Sequence, residues 1–371
     1  MIDFKHIEQT CLSAFDKEMR QTPQDAKFHA EGDVLTHTHM VCEALDVSGL
    51  TERQQAELRI SALLHDVGKI KTTQVNGDDI TCPNHSITGS RMARELLWKQ
   101  YGLAGTKDAM NFRETIAALV RYHGFPPHVM DDENALAKMY RISSIGLLGA
   151  TDFTMELLYR LAKADMAGRQ CSDIETSLVA VECFRDLADE EDILYCPPAF
   201  GLDRYSENRF LNFRTGDCKE PGLFDDTWGE VIMVAGLPGT GKDTFIARNF
   251  KDYPVISLDD IRKEFGLKPG DTKNGEVIQT AKERAKELLR SKTPFVWNAT
   301  NITRLRLQTI ELFETYKARV KMIYLETTPE EQKRRNHNRE AVVSGEVIDK
   351  MISKLILPEY FEAQTVEWRI I

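Results

Sequence analysis

The chain has 371 residues, 42% hydrophobic and 29% charged. That length implies about two domains of roughly 100–200 residues each, and the composition excludes wholesale disorder. A net charge of −10 does not suit a protein that coats long stretches of nucleic acid, a mode that needs many Lys and Arg contacts to phosphate. An enzyme that grips one strand end stays open.

Charge and histidine are unevenly shared. Residues 1–192 carry 20 Lys and Arg against 31 Asp and Glu, whereas 193–371 hold 28 against 27. Eight of nine histidines lie at or before position 128. Two modules with different chemistry are expected. The N-terminal stretch is charged by position 3 and lacks the apolar core of a secretory signal. The apolar run Val231–Leu237 falls far short of the roughly 18 residues of a membrane span. Seven scattered cysteines without a CxxC read as reduced thiols in a cytoplasmic protein without a membrane partner.

Along the chain, 33–192 reads as helical. Leu58–Leu64, Phe112–Tyr122, Ala135–Leu148, Phe153–Ala164 and Ser177–Leu187 carry apolar residues at spacings of three and four. Residues 1–195 are therefore expected to form an all-α domain. Residues 196–229, rich in Pro, Gly and polar residues, read as an irregular connector. From 230 to 371 strands (Val231–Ala235, Val255–Leu258, Phe295–Asn298, Val320–Leu325) alternate with helices from Lys242, around Val277–Arg290 and near Leu305–Tyr316. That order predicts an α/β domain with a parallel sheet.

Gly236-Leu-Pro-Gly239-Thr240-Gly241-Lys242 fits GxxxxGK after a strand and before a helix. Backbone N–H groups and the helix N-terminus would cradle an anion, with Lys242 on the β/γ-phosphates. Asp243 stands where Ser or Thr is usual, followed by Thr244. A carboxylate beside polyphosphate calls for a cation between them, so Asp243 is read as holding Mg²⁺ and Thr244 as touching a phosphate oxygen. Ser257-Leu-Asp259-Asp260-Ile-Arg262 ends the second strand, facing the ligand crevice of such sheets. Asp259 can accept a proton from a hydroxyl, and Arg262 can clamp a phosphate. Arg335 and Arg339, four apart on an expected helix after Pro329, share a face.

These elements resemble the 5′-hydroxyl polynucleotide kinase family, from about Glu230 to the C-terminus. The resemblance implies that Asp259 is the general base and that Arg262 binds the phosphate next to the acceptor hydroxyl. It makes Arg335 and Arg339 a lid over the donor phosphates, and gives Thr300-Asn301 a positioning role. Asp243 departs from the commonest family pattern.

In the first half, His65-Asp66 lies within Leu63-Leu-His-Asp-Val-Gly-Lys69. Polar ligand groups in an apolar helix are costly unless paired or coordinated. Helical spacing turns His37, His123 and Asp165 inward. His39 reads as exposed and His128 as a loop residue. HDxGK resembles the HD phosphohydrolase superfamily over about 33–170. That resemblance implies one metal site of His37, His65, Asp66 and Asp165, with Asp152 an alternative to Asp165. His85 and His123 would complete a second site, bridged by Asp66. Such donors suit Zn, Mn, Fe, Ni or Co, as one or two ions. Lys69 could reach a phosphate oxygen.

The two halves together resemble bifunctional end-healing enzymes with an HD domain and a polynucleotide kinase. That implies removal of 2′,3′-cyclic and 2′- or 3′-phosphates, and transfer from ATP or another NTP with Mg²⁺ to a 5′-OH. RNA or DNA ends would be the partners, and a nucleic-acid ligase would use the products. A small-nucleotide kinase fused to an HD nucleotidase, or a nucleotide sensor, is the competing reading.

Overall fold

The computed structural model describes residues 2–77, 79–171, 174–267, 274–339 and 342–371. The chain divides into two compact units. One comprises Met1–Phe200 with Phe213–Cys218, the other Gly201–Asn212 with Lys219–Ile371.

The first unit is helical, with one small antiparallel hairpin of strands β1 (Gln74–Asn76) and β2 (Asp79–Thr81). Its helices start where the sequence supplies caps. Thr51 and Gln54 form a reciprocal capping box on Glu52–Leu64. Thr106 caps Lys107–Tyr122 and Thr154 caps Met155–Ala167. Leu64, Val67, Ala93, Leu97, Phe112, Ile116 and Val120 interlock in the core. Two short helices, Phe4–Thr10 and Asp16–Gln21, precede the expected helical region. They contribute Ile7 and Met19 to the core but are too short to display a periodicity.

The second unit carries a five-stranded, all-parallel sheet. Its strands are β3 (Trp228–Ala235), β4 (Val255–Ser257), β5 (Phe295–Asn298), β6 (Ala318–Glu326) and β7 (Thr365–Ile370), in the order β4-β5-β3-β6-β7. Ile232, Val234, Val296, Ile323 and Leu325 pack on Ile246 of helix Lys242–Asn249. The edge strand β7 was missed in the sequence reading, although Val366, Trp368 and Ile370 alternate with Thr365, Glu367 and Arg369 at the strand period. The buried Arg306–Glu362 pair helps hold the chain leading into it, with Arg306 also donating to the carbonyls of Ile356 and Leu357.

The stretch 196–229 is less irregular than expected. Asp203 caps a helix over Arg204–Leu211, which joins the second unit through Arg204 and Asn208 bonds to the carbonyls of Tyr360, Phe361 and Ala363. Asp217 instead caps the helix Ala135–Ser143 in the first unit, accepting from the N–H groups of Leu136 and Ala137.

Candidate metal centre and phosphate cradle

Helix ends build the centre in the first unit. His65 and His123 are the C-cap residues of Glu52–Leu64 and Lys107–Tyr122. The last carbonyls of a helix lack intrahelical partners. Each histidine supplies one through Nδ1, at 2.7 Å to the Ala62 carbonyl and 2.8 Å to the Val120 carbonyl. His85 opens helix His85–Lys99 and holds the Cys82 carbonyl through Nδ1 at 3.0 Å. Three Nδ1–H groups are thus spent on backbone, which turns the three Nε2 lone pairs toward a ligand; the Ser86 hydroxyl lies 3.3 Å from that of His85.

Those Nε2 atoms converge on Asp66. Its Oδ1 lies 3.5 Å from His85 Nε2 and 3.8 Å from His123 Nε2, and its Oδ2 3.4 Å from His65 Nε2 and 3.7 Å from His37 Nε2. Asp165 Oδ1 completes the second side, 3.0 Å from His37 Nε2 and 3.9 Å from His65 Nε2. His37–His65–Asp165 and Asp66–His85–His123 are each tight enough to hold an ion, with Asp66 reaching both groups. Asp152 lies elsewhere, bonded to Arg53 and Asn111. His39 and His128 are exposed.

The donors fit a divalent transition metal. His65 Nε2 and Asp66 Oδ1 are buried without a hydrogen-bond partner among the described residues, a costly arrangement unless a cation satisfies them. Burial disfavours the Asp66 and Asp165 carboxylates. Lys69 and His65 nevertheless hold Asp66, and Arg169 and His37 hold Asp165, well below the usual range. Burial, reinforced by His65 and His85 and opposed by Asp66 and Asp165, pushes the His123 imidazole down to about 3, keeping it neutral and ready to ligate.

The sequence reading missed the residues behind the ligands. Glu31 Oε1 lies 2.9 Å from His37 Nδ1 and 2.8 Å from His29 Nδ1, and its Oε2 accepts from the Gln170 N–H. Burial would lower the His37 imidazole, but Asp165 and Glu31 together raise it to about 9. His29 and Glu31 sit in an irregular segment before the helix Val34–Ala44, where no periodicity marks them. The spacing His29-x-Glu31, six residues ahead of His37, was the available signal. Lys69 is buried, donating to Gln24 Oε1 at 2.6 Å and lying 2.7 Å from Asp66 Oδ2.

In the second unit the GxxxxGK segment wraps as expected. Gly239 has φ +84° and lies so close to the helix Pro329–His337 that a Cβ there would stand 2.6 Å from the Gln332 carbonyl oxygen. Lys242 Nζ folds back on the carbonyls of Gly236 and Leu237, at 3.0 and 3.3 Å. Burial lowers its ammonium to about 8. The Thr240 hydroxyl donates to the Leu237 carbonyl inside the loop. Gly241 caps the helix that begins at Lys242, whose next residues Asp243 and Thr244 are exposed. Asn301 Nδ2 donates to the Val234 carbonyl, and the Thr300 carbonyl accepts from the Gly236 N–H, so this dipeptide braces the loop's root.

Asp259 and Arg262 lie on a helix, Leu258–Glu264, that starts immediately after β4 with Ser257 as its cap. Arg262 pairs with Asp259, and Arg339 Nη2 lies 3.6 Å from Asp259 Oδ2. Arg335 donates to the Thr240 carbonyl at 3.1 Å and to Glu331. The shared helical face expected for Arg335 and Arg339 is not formed. The helix ends at His337, and Asn336 turns the chain by bonding both backbone groups of Val343. Arg339 therefore reaches Asp259 from beyond the helix.

Residues 33–148 match the HD domain family, and residues 231–358 match the AAA domain family. Among solved structures, a protein of Chloroflexus aurantiacus described provisionally as a kinase is 17% identical, covering 40% of this chain and 86% of that one, with a TM-score of 0.33. No curated protein matches the chain. The chain thus joins a helical unit that matches the HD domain family to a unit that carries a P-loop on a parallel sheet and matches the AAA domain family. No helix among the described residues is long and apolar enough to cross a membrane.

Proposed function

We propose that this HD plus P-loop kinase chain heals broken nucleic-acid ends. The first unit hydrolyses 2′,3′-cyclic and 2′- or 3′-phosphates, and the second phosphorylates the 5′-OH. The observation that carries the reading is the cluster around Asp259. A candidate base, a candidate acceptor clamp (Arg262) and a candidate lid arginine (Arg339) meet there, and the charges of Asp259 and Arg339 are felt by Lys242.

In the kinase, the backbone N–H groups at Gly239–Lys242 and the Lys242 ammonium hold the donor phosphates. Asp259 accepts the proton of the 5′-hydroxyl. Arg262 is engaged with Asp259. An acceptor phosphate that draws the guanidinium away frees the carboxylate for that proton, which couples acceptor binding to the base. Arg335 and Arg339 offset charge on the phosphoryl group in flight.

In the HD unit, His37, His65, Asp66, His85, His123 and Asp165 would hold one or two transition-metal ions, which supply Lewis acidity toward water and phosphoryl oxygen. Lys69, held on Asp66 and Gln24, donates to a phosphate oxygen of the substrate. Glu31, Arg169 and the backbone carbonyls orient the ligands. RNA or DNA ends are the substrates, and a ligase consumes the product.

The test uses an oligonucleotide with a 5′-OH and a 3′-phosphate beside a mononucleoside, with a metal panel and ATP or GTP. Strand labelling and phosphate release are expected. Asp66→Ala should abolish release and spare labelling, and Lys242→Ala should do the reverse. Turnover of the mononucleoside alone would replace this reading with a small-nucleotide kinase.

A further inference from the structure

The Asp243 carboxylate occupies the position where a P-loop hydroxyl contacts Mg²⁺, and its surroundings account for it. Asn298 Nδ2 donates to Asp243 Oδ1 at 2.7 Å. Asn298 is the last residue of β5, in register with Val234 of β3 on one side and Ser257 of β4 on the other. It therefore lies between the strand that feeds the phosphate loop and the strand that feeds Asp259. Its side chain is buried, and its Oδ1 has no hydrogen-bond partner among the described residues. Only an amide N–H can face a carboxylate at this distance, so the orientation of the amide is settled and Oδ1 turns away from Asp243 Oδ1.

A buried amide oxygen without a donor costs free energy unless something electropositive meets it. The pair thus offers two kinds of oxygen, the carboxylate of Asp243 on the residue after Lys242 and the unpartnered amide carbonyl of Asn298. Both are hard donors of the kind Mg²⁺ accepts, directly or through its retained waters, alongside substrate phosphates.

We infer that Asn298 and Asp243 act as one unit that holds the Mg²⁺ of the bound nucleotide, Asn298 being the positioning residue that fixes the carboxylate against the strand. This rests on the kinase reading of the second unit and is independent of which acceptor that kinase uses. The unit also explains how a carboxylate is tolerated there. Its charge is oriented by Asn298 and neutralised by the cation, so Mg²⁺ is needed for nucleotide binding itself as well as for transfer.

A specific exchange follows. Because the two side chains are 2.7 Å apart, the carboxylate can sit on either backbone. Asp243→Ser removes it from the helix. Asn298→Asp in the same chain returns it from the strand, one hydrogen bond away.

The experiment measures binding of a fluorescent ATP analogue to the full chain across a Mg²⁺ titration and in EDTA. Wild type should bind tightly with Mg²⁺ and weakly in EDTA. Asn298→Ala should raise the Mg²⁺ concentration needed by about 10–100-fold, the usual effect of losing a group that orients a metal ligand, with binding in EDTA unchanged. Asp243→Ser should bind better than wild type in EDTA and lose most of its Mg²⁺ dependence. The Asp243→Ser/Asn298→Asp pair should regain that dependence. A melting transition like that of wild type reports that each variant is folded, and Asp243→Ser, at an exposed position, perturbs no packing.

If Asn298→Ala leaves the Mg²⁺ titration where it was, or if the double variant behaves like Asp243→Ser, the unit does not exist and the inference falls while the kinase reading stands. Absence of nucleotide binding by wild type at any Mg²⁺ concentration would overturn the kinase reading and this inference with it.

Discussion

Gly68→Ala is the sharpest probe of the metal centre, because Gly68 touches no ligand atom and acts only through backbone distance. A Cβ at this position would stand 2.0 Å from the His85 carbonyl oxygen, 2.5 Å from the Gly89 nitrogen and 2.9 Å from the His85 carbonyl carbon. All three are backbone atoms of helix His85–Lys99, so no rotamer change relieves them. Carbon–oxygen contacts settle near 3.3 Å, which requires the helix to retreat by about 1.3 Å. His85 Nε2 is 3.5 Å from Asp66 Oδ1, and metal–ligand distances tolerate only about 0.2 Å of error. The Asp66–His85–His123 group should therefore lose its ion while His37–His65–Asp165 keeps its own. A displacement of this size costs about 10²-fold in rate, and overpacking costs about 1–3 kcal/mol of stability. The assay is metal content after reconstitution, together with phosphate release from a 3′-phosphorylated strand and 5′-labelling as the folded control. Metal content should fall by the equivalent held at Asp66–His85–His123, from two to one if wild type holds two, release should fall about 10²-fold, and labelling should be unchanged. Two retained equivalents with full release would refute the claim that Gly68 sets the approach of His85.

Glu31→Gln should weaken metal retention by about 10–100-fold against a competing chelator; retention equal to wild type would reduce Glu31 to loop packing. Asp259→Ala should slow 5′-phosphorylation by about 10²–10⁴ with nucleotide binding intact, and loss of nucleotide binding would remove it as the base. Arg262→Ala should slow phosphorylation of a nucleoside 3′-monophosphate far more than that of the plain nucleoside; equal losses on both would contradict a phosphate clamp. Burial, reinforced by the Asp152 charge and opposed by Arg53, pushes the Glu57 carboxyl up to about 9 from 4.5. The folded state therefore keeps a proton that the unfolded chain releases, and stability is lost as pH rises from about 4.5 to about 9. Glu57→Gln should accordingly raise the melting temperature at pH 8 with little effect at pH 4, and equal shifts at both would show that Glu57 is charged when buried.

The segments whose chemistry is local were legible in the amino-acid order alone. GxxxxGK, HDxGK and the Asp259–Arg262 stretch each place their groups within one turn or one loop, so spacing by itself dictates which groups share a face or an anion. Helical periodicity likewise turned His37, His123 and Asp165 toward the core, where they are buried. Only the tertiary structure decided which distant groups would meet. Asp165 rather than Asp152 faces His37 across 128 positions of sequence, because Gly168 lets its helix approach the Val41 backbone to where a Cβ would stand 2.7 Å from its nitrogen. Glu31 and Asn298 are marked by no periodicity, one lying in an irregular loop and the other ending an apolar strand. Each acquires its role from the partner that the fold sets beside it. Arg339 shows the converse, since spacing put it on a helix that the Asn336 side chain ends two residues earlier. Periodicity encodes the direction of a side chain relative to its own backbone, whereas contact between elements depends on how closely two backbones can approach, and that is set by packing across the whole unit.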